Sequence, residues 1–160
     1  MSKTTPQTAS HADVERAPDA LAVRGGTLRI STRGPGCYDI SSEVAGWLSG
    51  IAAQAGLLTL LIRHTSASLM IQENADPDVQ RDLLDWLRRS APESAHYRHD
   101  SEGPDDMPAH IKAMVMPVSL SIPVAGGTMR LGTWQGIYVV EHRDQPHARE
   151  VAMQFIGATG

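Results

Sequence analysis

Residues 57–72 read LLTLLIRHTSASLMIQ, and their pattern decides the fold class. LLTLLIR (57–63) is apolar at nearly every position and rich in strand formers, which predicts a strand buried on both faces. HTSASLMIQ (64–72) continues without a breaker and is expected to be extended too. Upstream, Leu28 and Ile30 alternate with polar residues in GTLRISTRG (26–34), the period of a half-buried strand. Gly34, Pro35 and Gly36 interrupt it, and Tyr38 to Ser41 resume extended structure. Val44, Trp47, Leu48, Ile51 and Ala55 then recur at three- and four-residue spacing. They predict a helix capped by Ser41 or Ser42 and ended by Gly56.

Downstream, Asp76-Pro77 opens a second helix, with Asp as cap and Pro at the first helical position. Val79, Leu83, Trp86 and Leu87 form its expected buried face, and it stops before Pro92. Residues 93–107 form a long polar loop, and loops of this length in small domains often carry function. Pro108 opens a short helix through Met116, before Pro117. Strands are expected at 118–124, 127–132, 135–143 and 149–157, with Gly126-Gly127 as a turn. The sum is a mixed α/β (α+β) fold over residues 21–160. It is one domain with a mixed, largely antiparallel sheet, two longer helices and one short helix. Residues 1–20 hold almost no large apolar side chains and read as a disordered tail.

Composition excludes several function classes. A net charge of −4 lacks the clustered basic face of a nucleic-acid binder and gives no support to a membrane-surface role. Seven aromatics in 160 residues leave no stacking platform for bases. No apolar run approaches the roughly 18 residues that span a bilayer. The single cysteine, Cys37, forms no internal disulfide and reads as a small buried hydrophobe. With no signal peptide in view, this points to the reducing cytoplasm.

Four stretches carry candidate chemistry. His64-Thr65-Ser66 follows the apolar strand, where polar residues of α/β proteins meet a crevice. His64 there serves as acid, base or metal ligand, or as a plain turn histidine; Thr65 and Ser66 are hydroxyl donors to a phosphate or ordinary strand residues. Asn74 and Asp76 stand at a helix start; Asp76 has an evident capping role, which leaves room for a second one on a metal. His99 and His110 lie among Asp100, Glu102, Asp105 and Asp106, the ingredients of a divalent-metal site, although their spacing matches no closed zinc motif. Finally, Gly132-Thr133-Trp134-Gln135 allows close backbone approach to a ligand or a bulge, with Trp134 as a wall for a ring or as core. Alternation in the strand after it sets Tyr138, Val140 and His142 on one face and Ile137, Val139, Glu141 and Arg143 on the other. Glu141 and Arg143 are then neighbours, fit for an anion site or a surface ion pair. His142 and His147 look like edge or loop residues.

HTSASLMIQENADPDVQRDL (64–83), YRHDSEGPDDMPAHIK (97–112) and GTWQGIYVVEHRDQPHARE (132–150) together closely resemble the YjbQ-like family, over roughly residues 22 to 158. Its members are commonly labelled secondary thiamine-phosphate synthase enzymes. The resemblance implies a small mixed α/β fold, a homotrimer, and a polar pocket near the subunit interfaces. It implies a transferase that joins a hydroxymethylpyrimidine diphosphate to a thiazole phosphate and releases pyrophosphate. Under it a divalent metal, Mg or Zn, is held by His64, His99, His110 and Asp76. The three histidines with Glu141 are the catalytic group. Thr65, Ser66, Asn74, Gly132, Thr133, Trp134, Gln135 and Arg143 bind the small phosphorylated metabolite. Metal-assisted hydrolysis and non-catalytic binding of a metal or anion by a trimer are the alternatives.

Overall fold

The computed structural model describes residues 21–160, so the tail expected at 1–20 lies outside the described residues. Eight strands and three helices follow in the order β1 (Ala22–Ser31), β2 (Gly36–Asp39), α1 (Ser41–Gly50), β3 (Ala53–Ile62), β4 (Ala67–Glu73), α2 (Pro77–Ser90), α3 (Asp106–Val115), β5 (Ser119–Ala125), β6 (Thr128–Met129), β7 (Gln135–Glu141) and β8 (Ala148–Thr159). They build an α+β domain with two antiparallel sheets, one in the order β1-β8-β3-β5-β6 and the other β2-β7-β4. The two sheets and α1 enclose the main core, where Leu58, Leu60 and Ile62 meet Leu69, Ile137, Val139 and Phe155. On the other side of the small sheet, Met70, Tyr138 and Val140 pack with Leu87 of α2.

β7 is therefore the strand buried on both faces, from Gly136 to Glu141. That corrects the expectation for 57–63. In β3, Leu58, Leu60 and Ile62 point into the core, while Leu57 and Leu61 stay 45% and 44% exposed. The reason is that the outer face of the five-stranded sheet carries no second layer. Across that face Val23, Ile156 and Leu57 sit in register on three neighbouring strands, all exposed.

Local chemistry explains the other shifts. The first helix ends at Gly50, not Gly56, because Ala52 takes the left-handed turn at φ 52° and β3 has begun by Ala53. Gly56 instead lets two strands close up, since a Cβ there would stand 2.3 Å from the Ile156 carbonyl oxygen. Neither Ser41 nor Ser42 caps α1; Asp39 Oδ1 accepts from the Ser41 N–H at 2.8 Å, and Ser41 Oγ accepts from Ile137 N–H at 2.9 Å. Asp76 does cap α2, its Oδ1 accepting from Asp78 N–H at 2.9 Å with Pro77 at the first position. Trp86 is exposed on that helix, whose inward face is Leu83, Leu84 and Leu87. The third helix starts two residues before Pro108, at Asp106, and is as long as α1. Gly126 and Gly127 form the β5–β6 turn with φ 57° and 76°, a conformation suited to glycine.

Candidate metal centre

The long loop and α3 come together where β4 and β7 pair Ala67 with Glu141. His110 Nδ1 lies 2.9 Å from the Thr65 carbonyl oxygen. A carbonyl only accepts, so Nδ1 carries a proton and the neutral ring keeps its lone pair on Nε2. That Nε2 is 3.3 Å from Asp106 Oδ2, and His99 Nε2 is 2.8 Å from the same oxygen. Asp106 and His110 are four residues apart on α3 and share a face. The ligand atoms of His99, Asp106 and His110 all lie within 4.8 Å of one another.

A second set of residues aims Asp106, which is 1% exposed. Its Oδ1 accepts from Arg143 Nη1, which leaves Oδ2 for the imidazoles. Arg143 Nε donates to Asp105 Oδ2 at 2.8 Å and Nη2 donates to the Glu102 carbonyl at 2.9 Å. Asp144 N–H also donates to Asp105 Oδ2, at 2.9 Å. Burial alone would raise the Asp105 carboxyl, but the bonds from Arg143 and Asp144 outweigh it and hold it below the ordinary carboxylate value. The hydrogen bond to Asp105, with the Asp105 and Asp106 charges, raises the Arg143 guanidinium in turn. Two imidazoles and one oriented carboxylate form a three-ligand set that suits a transition-metal ion such as Zn²⁺; Mg²⁺ prefers all-oxygen ligation.

Several expected roles change. His64 is not among these ligands: its Nε2 accepts from the Glu150 N–H at 2.8 Å, the plain turn-histidine role, and burial lowers its pKa. Asp76 is occupied as the α2 cap and is not in the cluster. Glu141 is 0% exposed, with both oxygens engaged, and it is not among the His99–Asp106–His110 set. It accepts from Arg149 Nε at 2.7 Å, Thr32 Oγ1 at 2.6 Å and the backbone N–H groups of His142 and Arg143. Burial pushes its carboxyl up, but Arg149 and Thr32 win and hold it below the ordinary range. Arg143 is turned onto Asp105 and Asp106 and not onto Glu141 or a free anion site. Ser66 is buried with its Oγ on Arg149 Nη2 at 3.1 Å, and Thr65 acts through its carbonyl.

Asn74 and the Gly132–Gln135 turn do meet, since Asn74 N–H donates to the Trp134 carbonyl at 2.9 Å and Gln135 Oε1 accepts from Gly132 N–H at 2.8 Å. Thr133 and Trp134 are exposed in that turn. They gather where Glu73 pairs with Gln135, six residues along the ladder from Ala67 and Glu141. At about 3.4 Å per residue the two groups stand roughly 20 Å apart. Within one chain the residues expected to share one pocket fall into two separate groups.

Two groups escaped sequence reading. Arg149 holds Glu141 yet sits in a stretch, HARE, with no distinguishing signal. His142 is 2% exposed and not an edge residue, with Nε2 2.8 Å from Ser68 Oγ. Asp106 carried a readable signal, an Asp-x3-His spacing, that becomes visible once the helix starts before Pro108.

A family profile described as UPF0047 protein YjbQ-like matches residues 26–158. The chain belongs to this family. Among YjbQ-like relatives, a UPF0047 protein of Synechocystis is 45% identical over 131 residues, 81% of this chain and 89% of its own. UPF0047 protein YjbQ of Salmonella typhimurium is 45% identical over 126 residues, 78% of this chain and 91% of its own. A crystal structure of a yjbq/upf0047 family protein from Clostridium acetobutylicum superposes with TM-score 0.73 at 35% identity, covering 82% of this chain and 98% of that one. A YbjQ-like protein from Sulfolobus solfataricus shares the fold at TM-score 0.80 and 21% identity, over 87% of this chain and all of that one. Among the described residues, no helix is long and apolar enough to cross a membrane.

Proposed function

We propose that this YjbQ-like protein is a metal-dependent enzyme acting on a small phosphorylated metabolite, with hydrolysis the reaction its geometry suits best. The observation that carries the reading is the His99–Asp106–His110 set, with three ligand atoms inside 4.8 Å. Three protein ligands leave coordination positions open, and a bound ion there would supply Lewis-acid polarisation and charge neutralisation. The protein's own part is positioning. Thr65 fixes the His110 tautomer, Arg143 fixes Asp106, and His99 lines a recess with Tyr97, His96 and Asp100 that receives the rest of the substrate. The lone cysteine supports a cytoplasmic setting.

Elemental analysis of protein purified without chelators should find close to one zinc-class ion per chain, and Asp106→Asn should lose it. A panel of phosphorylated metabolites should then reveal turnover by wild type and none by His99→Ala. Metal-free protein that takes up no zinc would defeat the reading; metal uptake with no turnover of any substrate would reduce it to a binding protein.

The transferase reading draws support from the three sequence motifs. It needs a flat wall for the rings, and Trp134, 64% exposed, stands at the far end of the small sheet. A neighbouring subunit of a homotrimer would have to bring that Trp134 to the metal. Purified protein given both thiamine precursors and metal should then form thiamine phosphate. Equal product from wild type and His99→Ala would point to a contaminant and sink it.

A further inference from the structure

Among the described residues, three basic side chains are not exposed: Lys112, Arg143 and Arg149. Arg143 and Arg149 are each bound to carboxylates. Among the described residues Lys112, half-buried on α3, has no carboxylate within 4 Å and no hydrogen bond, and Glu93 and Asp144 act on it only at longer range. A partly desolvated cation without a partner is costly, and the cost is relieved by an anion. Lys112 lines a recess of about 90 Å³ between the C-terminal half of α2, α3 and the end of β7. Leu84, Leu87 and Pro35 give this recess an apolar wall, and His142 stands beside Lys112.

The His142 ring is set for hydrogen bonding. Its Nε2 is taken by Ser68 Oγ at 2.8 Å, and its Nδ1 has no partner among the described residues. Burial, helped by the Lys112 charge, pushes its pKa down to about 4, so the ring is neutral near pH 7. Arg88 at the rim is already bound to Asp85. Glu93, Glu141 and Asp144 also line the recess, three carboxylates against the Lys112 and Arg88 cations, and they set the ligand's charge. With carboxylates outnumbering cations around it, a second negative charge on the ligand adds more repulsion than attraction, which favours a carboxylate over a phosphate.

We propose that the Lys112–His142 recess is a binding site for a small monocarboxylate with a short apolar body. The carboxylate pairs with Lys112 Nζ and meets the free edge of His142, and the apolar body lies on Leu84, Leu87 and Pro35. None of the metal-set residues lines it, so this site stands or falls independently of the proposed enzyme chemistry.

The test is calorimetry and imidazole NMR on the full chain with isobutyrate, its neutral isostere isobutyramide, and inorganic phosphate, at pH 7. Isobutyrate should saturate and shift the His142 resonances, with the amide and phosphate each at least tenfold weaker. Lys112→Met keeps the aliphatic stem and should remove the preference for acid over amide, with zinc uptake unchanged. Should that variant fail to fold, Lys112→Gln and the acid–amide comparison in wild type read the same quantity. No saturable isobutyrate binding, no His142 shift, equal affinity for acid and amide, or a retained preference in a folded Lys112 variant would each overturn the site. Phosphate binding as tight as isobutyrate would overturn the carboxylate assignment.

Discussion

Replacing Arg149 with Met should unfold this protein more readily than any change at the metal ligands. Arg149 is 3% exposed and its guanidinium satisfies both oxygens of Glu141, itself 0% exposed. Removing the cation leaves a carboxylate in the core with only Thr32 and two backbone N–H groups. Breaking one partner of such a buried pair costs about 3–5 kcal/mol. For a domain of this size each kcal/mol lowers Tm by roughly 2–4 °C, so the expected fall is on the order of 6–20 °C. Urea unfolding at fixed protein concentration gives the free energy directly. The double change Glu141→Leu with Arg149→Met removes both charges and should recover much of the loss. The acid limb offers a second reading. The Glu141 carboxyl lies below its ordinary 4.5 in the folded state, so the unfolded chain takes up its proton first. The pair's stabilisation is therefore complete above that ordinary value and is lost as pH falls through the lower folded one. Glu141→Gln should flatten that part of the stability–pH curve. An Arg149→Met protein within about 1 kcal/mol of wild type would refute the view that Glu141 is a structural group.

Zinc should stabilise wild type by about 2.7 kcal/mol at a free concentration one hundred times Kd, and Asp106→Asn should show no such gain in a thermal melt. Asp76→Ala should cost about 1 kcal/mol as a lost helix cap and leave zinc uptake unchanged by calorimetry. Gly56→Ala should destabilise by roughly 1–3 kcal/mol in urea, because its Cβ has no room beside the Ile156 carbonyl. Leu57→Glu should shift an assembled species to monomer in sedimentation if the exposed apolar row is an interface, while the isolated domain stays folded.

Local rules read well where a residue's neighbours in sequence are also its neighbours in space. Asp76-Pro77 capped a helix, Gly126-Gly127 turned a hairpin, and the alternation along 137–143 sorted Tyr138, Val140 and His142 from Ile137, Val139 and Glu141 onto the correct faces. The same rules failed where a tertiary layer decided the outcome. LLTLLIR is apolar enough for a strand buried twice, yet only one of its faces meets the core; β7 gained the second layer when α2 packed over it. Nothing in a single strand's composition tells which sheet a helix will cover.

The site failed and succeeded on the same ground. His99 and His110 were legible because histidines among carboxylates are rare and chemically loaded, and the fold does bring them to one oxygen of Asp106. His64 and Glu141 carried equally suggestive chemistry, but each is consumed by a partner far along the chain: Glu150 in one case, Arg149 in the other. Arg143 shows how close the two outcomes lie. It was expected at a substrate anion, and it does bind anions, but they are the protein's own Asp105 and Asp106. A guanidinium spent in this way cannot bind substrate, yet it keeps one carboxylate oxygen turned toward two imidazoles. The position of that oxygen is what would let the cluster hold the ion proposed for it.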